Sequence, residues 1–288
     1  MRRNRVIIYF VLVIVMFFFN FYFRPISGNK LITKEYKNSS KYINNLYMSD
    51  EYFKTKILKK DEYHIYDTIK KASLKDEVSV TIKCNDCTGS FSGAYNALYL
   101  DHPELISFMG ISYYKIYDDR IEYDNLQNLG RIRSTFGAMR IEREMENIRN
   151  DTKNMSDKDK IIYVYDYVAS HNYDRLFTVL GSNQSAYSFF TKKSSVCAGF
   201  AKASQIIFQN IGINSYLALS SEHMWNYVEY EGKYYIFDAT VGASYYDKKM
   251  DGYYDGLEKT TTGDIKCMYY DYYPEVTTDV SLKELFGK

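Results

Sequence analysis

The feature that most restricts the architecture of this chain is an apolar segment close to its N-terminus. Val6–Phe23 contains 18 residues without a charged side chain and with one polar interruption, Asn20. At 1.5 Å per residue, a helix of this length spans about 27 Å, roughly the hydrocarbon core of a bilayer. A helix that is apolar on every side has no polar face for water, so the segment is typical of a membrane-spanning helix.

A core helix and a cleaved signal peptide are the alternatives to a membrane anchor. The apolar region of a signal peptide has about 7–15 residues and ends in small residues at the cleavage site. Here the run is longer and bulky residues follow it, which favours an uncleaved signal anchor. Arg2, Arg3 and Arg5 precede the span. The positive-inside rule therefore predicts a single-pass protein of the cell membrane, with residues 1–5 in the cytoplasm and the remainder extracellular.

Behind the anchor, residues 24–45 are polar and rich in lysine, which indicates a tether. We expect an N-terminal α/β subdomain at 46–150 and a second domain at 151–288, separated by the polar break DTKNMS. Apolar residues make up 46% of the chain and charged residues 25%, which excludes wholesale disorder. With 37 Lys and Arg against 36 Asp and Glu, the chain lacks the basic excess typical of nucleic-acid binding.

Local patterns predict mixed helices and strands in the first half. The predicted elements are a helical apolar rhythm at 48–75, a strand at 77–82, a helix at 90–100, a hairpin of 112–117 and 120–123, and a helix at 136–150. In the second half, Ser156 with Asp159 three residues later indicates a helix start. A further helix is expected from Cys197 to about Asn210. Strands are expected at 215–219, 223–230 and 233–237, with a two-residue turn at Glu231-Gly232.

The four cysteines are Cys84, Cys87, Cys197 and Cys267. Cys84 and Cys87 form a lone CxxC pair, which supplies too few thiolates for a four-cysteine zinc site. A local disulfide, two structural thiols, and a redox or metal pair all remain open. A redox pair requires a helix that starts directly after a strand, whereas Thr88-Gly89-Ser90 is typical of a loop.

Three aspartates recur every fourth residue near the C-terminus, at Asp247, Asp251 and Asp255. They lack the alternating acidic spacing of a calcium-binding loop, and we interpret them as part of a solvated loop. The sequence therefore predicts neither a metal nor another cofactor.

The predicted hairpin brings together residues that carry chemistry. Counting outward from its turn, His223 faces Thr240 and Asp238 faces Trp225, so His223 and Asp238 are diagonal neighbours on one face. An Asp beside an imidazole fixes its tautomer, which is the orienting role in nucleophilic triads. Cys197 begins a helix, where the helix dipole and free N–H groups lower the pKa of a thiol. The three residues can serve as a nucleophile, a general base and the residue that orients the base. The alternative is that His223 is a strand residue without a catalytic role and that Cys197 is a buried structural cysteine.

The motifs around these residues are Ser195–Ala201 (SVCAGFA), His223–Asn226 (HMWN) and Asp238–Thr240 (DAT), with Gly212-Ile213 and Gly232–Tyr235 between them. In this order they resemble the transglutaminase-like superfamily, and in particular its bacterial members with a papain-like Cys-His-Asp core. Weaker resemblances are Asn172–Asp174, Ala186-Tyr187 and Leu100–Leu105 (LDHPEL), the last similar to a motif of Firmicute members. The strong resemblance covers residues 157–242.

This resemblance implies an α+β fold with a papain-like core, in which a helix packs on an antiparallel sheet. It also implies that Cys197 is the nucleophile, His223 the general base and Asp238 the residue that orients the base. The positions that depart from the family pattern are Ser195, Met224 and Val241. In the family, Gly is usual at the position of Ser195, Ala at that of Met224 and an aromatic residue at that of Val241. None of these departures removes a catalytic atom.

A thiol enzyme also needs hydrogen-bond donors where charge develops on the acyl oxygen. The backbone N–H of Cys197 is a natural donor, and Gln184 and Tyr187 are candidates for the second. Trp225 lies on the His223 face of its strand and is a candidate for a wall of the site or for the core.

These inferences predict a membrane-anchored, extracytoplasmic thiol enzyme that acts on amide bonds of proteins or peptides, including cell-wall-associated ones. Its acyl-enzyme would give proteolysis or deamidation with water and a crosslink with an amine. The alternative is a catalytically inactive surface module that binds a peptide or a cell-wall polymer, because the family includes members that have lost catalysis.

Overall fold

The computed structural model describes residues 51–75, 79–85, 87–103, 113–124, 135–174, 183–245, 247–258, 270–277 and 279–288. All of them belong to one compact unit. The predicted anchor Val6–Phe23, the tether and Cys267 lie outside the described residues. Within the ranges given above, no helix combines the length and the apolar character needed to cross a membrane.

The first half of the described chain alternates helices with short strands. Its elements are α1 (Tyr52–Ile57), a 3-10 turn (Lys60–Glu62), α2 (Tyr63–Lys75), β1 (Ser79–Lys83), α3 (Cys87–Asp101), β2 (Tyr113–Ile116), β3 (Arg120–Asp124) and α4 (Thr135–Thr152). The strands form an antiparallel sheet in the order β1-β3-β2. The hairpin predicted around Asp118-Asp119 is therefore present as β2 and β3.

The second half carries one longer sheet and the helix that begins at Cys197. Its elements are α5 (Asp157–Ala169), β4 (Asn172–Tyr173), α6 (Ala186–Lys192), β5 (Ser194–Ser195), α7 (Cys197–Asn210), β6 (Ser215–Leu219), β7 (Met224–Tyr230), β8 (Lys233–Phe237), α8 (Ala239–Gly242) and α9 (Leu282–Phe286). Two further 3-10 turns lie at Asp255–Leu257 and Tyr270–Tyr272. Strands β6, β7 and β8 form an antiparallel sheet in sequence order, whereas β4 and β5 are a short parallel pair.

Helix α7 occupies the centre of this half, and most of its side chains are small or apolar. All residues from Ala198 to Phe208 are buried, which is typical of a core helix rather than a surface helix. The helix begins at Cys197 because Val196 has extended backbone, and the chain leaves it through Gly212, whose φ of 80° favours glycine. The predicted bounds of this helix are confirmed.

Two apolar clusters form the described interior, and α7 contributes to both. The first cluster joins Phe53 and Tyr66 of the N-terminal helices to Trp225 of β7, and it includes Ala201 of α7. The second contains Ile207 of α7 and packs it against α5 and β8. The second cluster also includes Met145 and Ile148 of α4. The two halves of the described chain therefore share both cores, and the predicted subdomain boundary near residue 150 remains a prediction.

Two local predictions for the first half differ from the structure. The helical rhythm predicted at 48–75 is interrupted at Leu58, where extended backbone ends α1. The segment Thr88–Ser90, expected to be a loop, lies inside α3, which already begins at Cys87. This loop prediction was wrong because α3 packs along α1 and α2, and tertiary packing outweighs the weak helix preference of Gly and Thr.

Candidate functional site

Cys197 is the first residue of α7, and its thiol is half-buried. It is the only cysteine without a disulfide among the described residues. The N–H of the preceding Val196 donates to the Asn183 carbonyl at 3.2 Å. The thiol therefore lies at the positive end of a buried helix, on a segment that is fixed by backbone hydrogen bonds.

His223 and Asp238 meet at the open end of the β7–β8 hairpin. His223 directly precedes β7 and Asp238 directly follows β8. The His223 Nε2 and Asp238 Oδ2 atoms are 2.6 Å apart, which is the distance of a short, charge-assisted hydrogen bond. The sequence placed these two residues next to each other, and the structure does the same.

The predicted strand pairing of these residues was wrong, even though the hairpin register was right. Asn226 pairs with Phe237, as counted from the turn. Beyond that pair the ladder ends, because Asp238 is the N-cap of α8 and its Oδ1 accepts from the Thr240 N–H at 3.0 Å. Asp238 and Trp225 are therefore not a strand pair, and the carboxylate reaches His223 from a helix start.

The backbone of Asp238 is held by a glycine from a later segment. Its N–H donates to the Gly256 carbonyl at 2.8 Å. A Cβ atom built on Gly256 would lie 1.9 Å from the Asp238 carbonyl oxygen, so only glycine fits this close approach. The Thr240 hydroxyl also donates to Asp238 Oδ1. The carboxylate is thereby oriented from two sides, which suits a residue that must hold an imidazole in one position.

The electrostatics of the site favour a charged pair. Burial raises the pKa of the Cys197 thiol, but hydrogen bonding and charge from His223, together with the Met224 backbone and Tyr173, outweigh it, so the pKa is lowered. Burial lowers the pKa of His223, but the Asp238 carboxylate and Cys197 outweigh it and raise the pKa to about 10. A lowered thiol pKa beside a raised imidazole pKa favours thiolate and imidazolium at neutral pH.

Tyr173 is a site residue that the sequence did not single out by itself. Its hydroxyl interacts with Cys197, and its ring lies 5.7 Å from the ring of Phe200, one helical turn after the thiol. The available signal was the Asn172–Asp174 motif, which carried a family resemblance but no chemical role. Only the pairing of β4 with β5 brings this tyrosine to the thiol.

The structure places the other predicted site residues outside the cavity beside the triad. The backbone carbonyl of Gln184 accepts from the buried Lys202 at 3.2 Å, and Tyr187 lies on α6. Trp225 is only 6% exposed and stacks on His223, with ring centroids 6.0 Å apart. The tryptophan therefore belongs to the core, and its ring also packs against the imidazole of His223.

The cavity lies on the imidazole side of the thiol and has a volume of about 440 Å³. Its lining residues are Tyr173, His223, Asp238, Thr240, Val241, Ser244 and Tyr245. Hydroxyl groups and two aromatic rings dominate this surface. In the described part of the chain, no cluster of three or more His, Cys, Asp or Glu side chains could hold a metal ion.

The CxxC pair lies away from the triad, at the other end of α3. Cys84 and Cys87 are joined by a disulfide. Their chain segment connects β1 directly to α3, which is the strand-to-helix junction that a redox pair requires. The Cys84 N–H also donates to the Asp119 carbonyl in the β2–β3 turn. The disulfide thus ties the start of α3 to the edge of the first sheet.

No family model matches this sequence, and the comparison with curated proteins found no match. Among solved structures, the chain is similar to a "Putative Cysteine Protease" from Cytophaga hutchinsonii at 18% identity, covering 34% of this chain and 37% of that one, with a TM-score of 0.29. It is also similar to a structure described as a TGase at 17% identity, covering 62% and 54%, with a TM-score of 0.35. The chain thus spans about a third and about half of these two proteins. Both TM-scores lie below 0.5.

Proposed function

We propose that this protein is a thiol acyltransferase or hydrolase of the transglutaminase-like class. Cys197 is the nucleophile, His223 the general base and acid, and Asp238 the orienting carboxylate. The observation that carries the proposal is the 2.6 Å contact between His223 and Asp238 beside a thiol at a helix start. The sequence motifs around all three residues support the same assignment.

The reaction follows from the atoms in place. Asp238 accepts a hydrogen bond from the N–H at His223 Nε2, which leaves Nδ1 as the ring nitrogen that exchanges a proton with the Cys197 sulfur. The thiolate attacks the carbonyl carbon of an amide and forms a C–S bond. The imidazolium then gives its proton to the amide nitrogen, the C–N bond breaks, and an amine leaves.

The second half of the reaction determines the outcome. A water molecule or an amine gives a proton to the neutral His223 and attacks the thioester carbon, and the thiolate leaves. Water produces a carboxylic acid, which amounts to proteolysis or deamidation, and an amine produces a new amide. The cavity on the His223 side is where such a second nucleophile would enter, because the base must reach its proton.

We also propose that Val6–Phe23 anchors the enzyme in the cell membrane with the catalytic residues outside. The support is the uncharged span and the three arginines that precede it. The substrate would then be a protein or peptide outside the cytoplasm, including one associated with the cell wall.

One reaction with purified full-length protein tests the proposed activity. A glutamine-rich protein is incubated with a fluorescent primary amine. Amine incorporation then reports transfer, ammonia release reports deamidation, and new N-termini report proteolysis. We expect at least one product, its loss in Cys197→Ala, and its retention in Cys267→Ala, which removes a cysteine that the proposed triad does not include. If wild type forms none of the three products and therefore does not differ from Cys197→Ala, the protein is better explained as a catalytically inactive surface module.

A further inference from the structure

We propose that Tyr173 is a fourth catalytic residue, whose phenolic O–H donates to the oxyanion that forms when Cys197 attacks a carbonyl. This proposal rests on the acyl-transfer function proposed above. It replaces Gln184 and Tyr187, the two candidates for the second donor that the sequence offered.

The backbone places Tyr173 directly beside the nucleophile segment. Strand β4 runs parallel to β5, with Asn172 opposite Ser194 and Tyr173 opposite Ser195. The Asp174 N–H extends this ladder by donating to the Ser195 carbonyl at 2.8 Å. Only Val196 separates β5 from Cys197, so the position of the tyrosine is set relative to the thiol by backbone hydrogen bonds.

The side chain points to the reacting atoms. Tyr173 lines the same cavity as His223 and Asp238. Its hydroxyl interacts with both the sulfur and the backbone N–H of Cys197. That N–H is a natural oxyanion donor, and the acyl oxygen is attached to the carbon that bonds the sulfur. The phenol therefore borders the place where the negative charge develops.

The chemistry of this phenol suits a donor that keeps its proton. Burial raises the pKa of Tyr173, and the negative charge of the Cys197 thiolate adds to the effect. The group stays neutral throughout the physiological pH range and can donate its O–H first to the thiolate and then to the acyl oxygen. No bond to the tyrosine forms or breaks, and the only change is the acceptor of its hydrogen bond.

Asn183 is the positioning residue that links this donor to the nucleophile. Its Nδ2 donates to Asp174 Oδ2 at 2.9 Å, next to Tyr173. Its carbonyl accepts from the Val196 N–H, next to Cys197, and from the buried hydroxyl of Ser195. Asn183 thus joins the neighbours of both catalytic groups, through its side chain on the Tyr173 side and its backbone carbonyl on the Cys197 side. Ser195, which departs from the family pattern, contributes a hydrogen bond to this link.

The test compares two reactions of Cys197 that differ only in whether an oxyanion forms. Acylation by p-nitrophenyl acetate passes through a charged acyl oxygen, whereas alkylation by iodoacetamide does not. In the full-length chain, we expect Tyr173→Phe to lower the ratio of acylation to alkylation rates by about 10²-fold, as for loss of one oxyanion donor. Tyr187→Phe is the matched control and should leave the ratio unchanged. Both adducts are located on Cys197 by mass spectrometry.

Other outcomes overturn the proposal in distinguishable ways. An equal fall of both rates in Tyr173→Phe would mean that the tyrosine only packs the site. Faster acylation would mean that its hydroxyl covers the thiol rather than helping it. A ratio that falls in Tyr187→Phe instead would assign the donor to α6. If wild-type Cys197 is alkylated but never acylated, the proposed function itself fails, and the role of Tyr173 fails with it.

Discussion

Asp238 shows how one side chain performs two tasks at the residue scale. Its Oδ2 atom bonds His223, while its Oδ1 atom caps α8 through the Thr240 N–H and hydroxyl. The predicted hairpin between residues 223 and 237 was sufficient to predict that His223 and Asp238 are neighbours. The capping role was not predictable, because the start of α8 depends on where the β8 ladder ends in three dimensions.

Replacing Asp238 by Asn should keep the cap and lose the orienting function. The amide can still accept from Thr240, but its NH₂ group would face His223 and favour the wrong imidazole tautomer. We expect turnover to fall by up to about 10⁴-fold, the loss known for an orienting carboxylate. Without the negative charge of Asp238, the pKa of His223 should also fall below its present value of about 10. Turnover and an NMR titration of the ring measure the two effects, and unchanged values for both would contradict the assignment.

Gly256→Ala should disturb the site through the backbone of Asp238. The new Cβ atom cannot coexist with the Asp238 carbonyl, from which it would lie only 1.9 Å away. We expect a loss of about 1–3 kcal/mol in the free energy of unfolding, typical of overpacking, together with slower acylation of Cys197. Gly93→Ala is the matched control, because its Cβ would meet only side-chain atoms, Leu58 Cδ2 at 3.2 Å and Ile57 Cγ2 at 3.8 Å. Denaturant unfolding distinguishes them, and equal stability of both variants would refute the packing argument.

At the scale of elements, the sequence predicted what short-range patterns determine. The bounds of α7 were predicted from an apolar stripe and those of β6 and β8 from strand composition and alternation, and all three match the structure. The break at Leu58, the start of α3 at Cys87 and the two-residue β4–β5 pair were not predictable. Each of these depends on contacts between distant segments, and a two-residue strand leaves no periodic signal.

The disulfide at the start of α3 should matter for stability and not for the thiol chemistry. A loop this short restricts the unfolded chain weakly, so Cys84→Ser with Cys87→Ser should lower the free energy of unfolding by about 2 kcal/mol. Tyr99, which contacts Met224 beside the triad, lies about 18 Å further along α3. Alkylation of Cys197 should therefore keep its rate. A folded double variant with an unreactive Cys197 would show that the pair serves the site.

At the scale of the whole described unit, the N-terminal helices supply part of the core behind the site. Trp225, which stacks on His223, packs in the same cluster as Phe53 and Tyr66. Asp101 holds these helices together, because its carboxylate accepts from the Phe53 N–H, the Lys54 N–H and the Tyr66 hydroxyl at 2.9–3.0 Å. The sequence singled out this position only within the Leu100–Leu105 motif and gave it no structural role, since the partners of a buried carboxylate come from other segments.

The buried carboxylate of Asp101 makes stability depend on pH. Burial raises its pKa from 3.8 to about 6, so the native state holds this proton more tightly than the unfolded chain. Between about pH 4 and pH 6, the Asp101 contribution should therefore lower the free energy of unfolding as pH rises, by about 3 kcal/mol in total. Urea unfolding at several pH values measures the slope for wild type and Asp101→Asn. A slope that is the same in both proteins would contradict this account.

The central claim is that Cys197 is a thiol activated by His223, and the pH dependence of its alkylation tests this most directly. Wild-type protein, His223→Ala and the control His64→Ala are treated with iodoacetamide, and circular dichroism confirms that each is folded. We predict that wild type and His64→Ala react with an apparent pKa below the value of about 8.5 for a free thiol. His223→Ala should shift this pKa upward and slow the reaction at neutral pH. If all three proteins alkylate Cys197 like a free thiol, with the same apparent pKa near 8.5, the catalytic assignment is wrong.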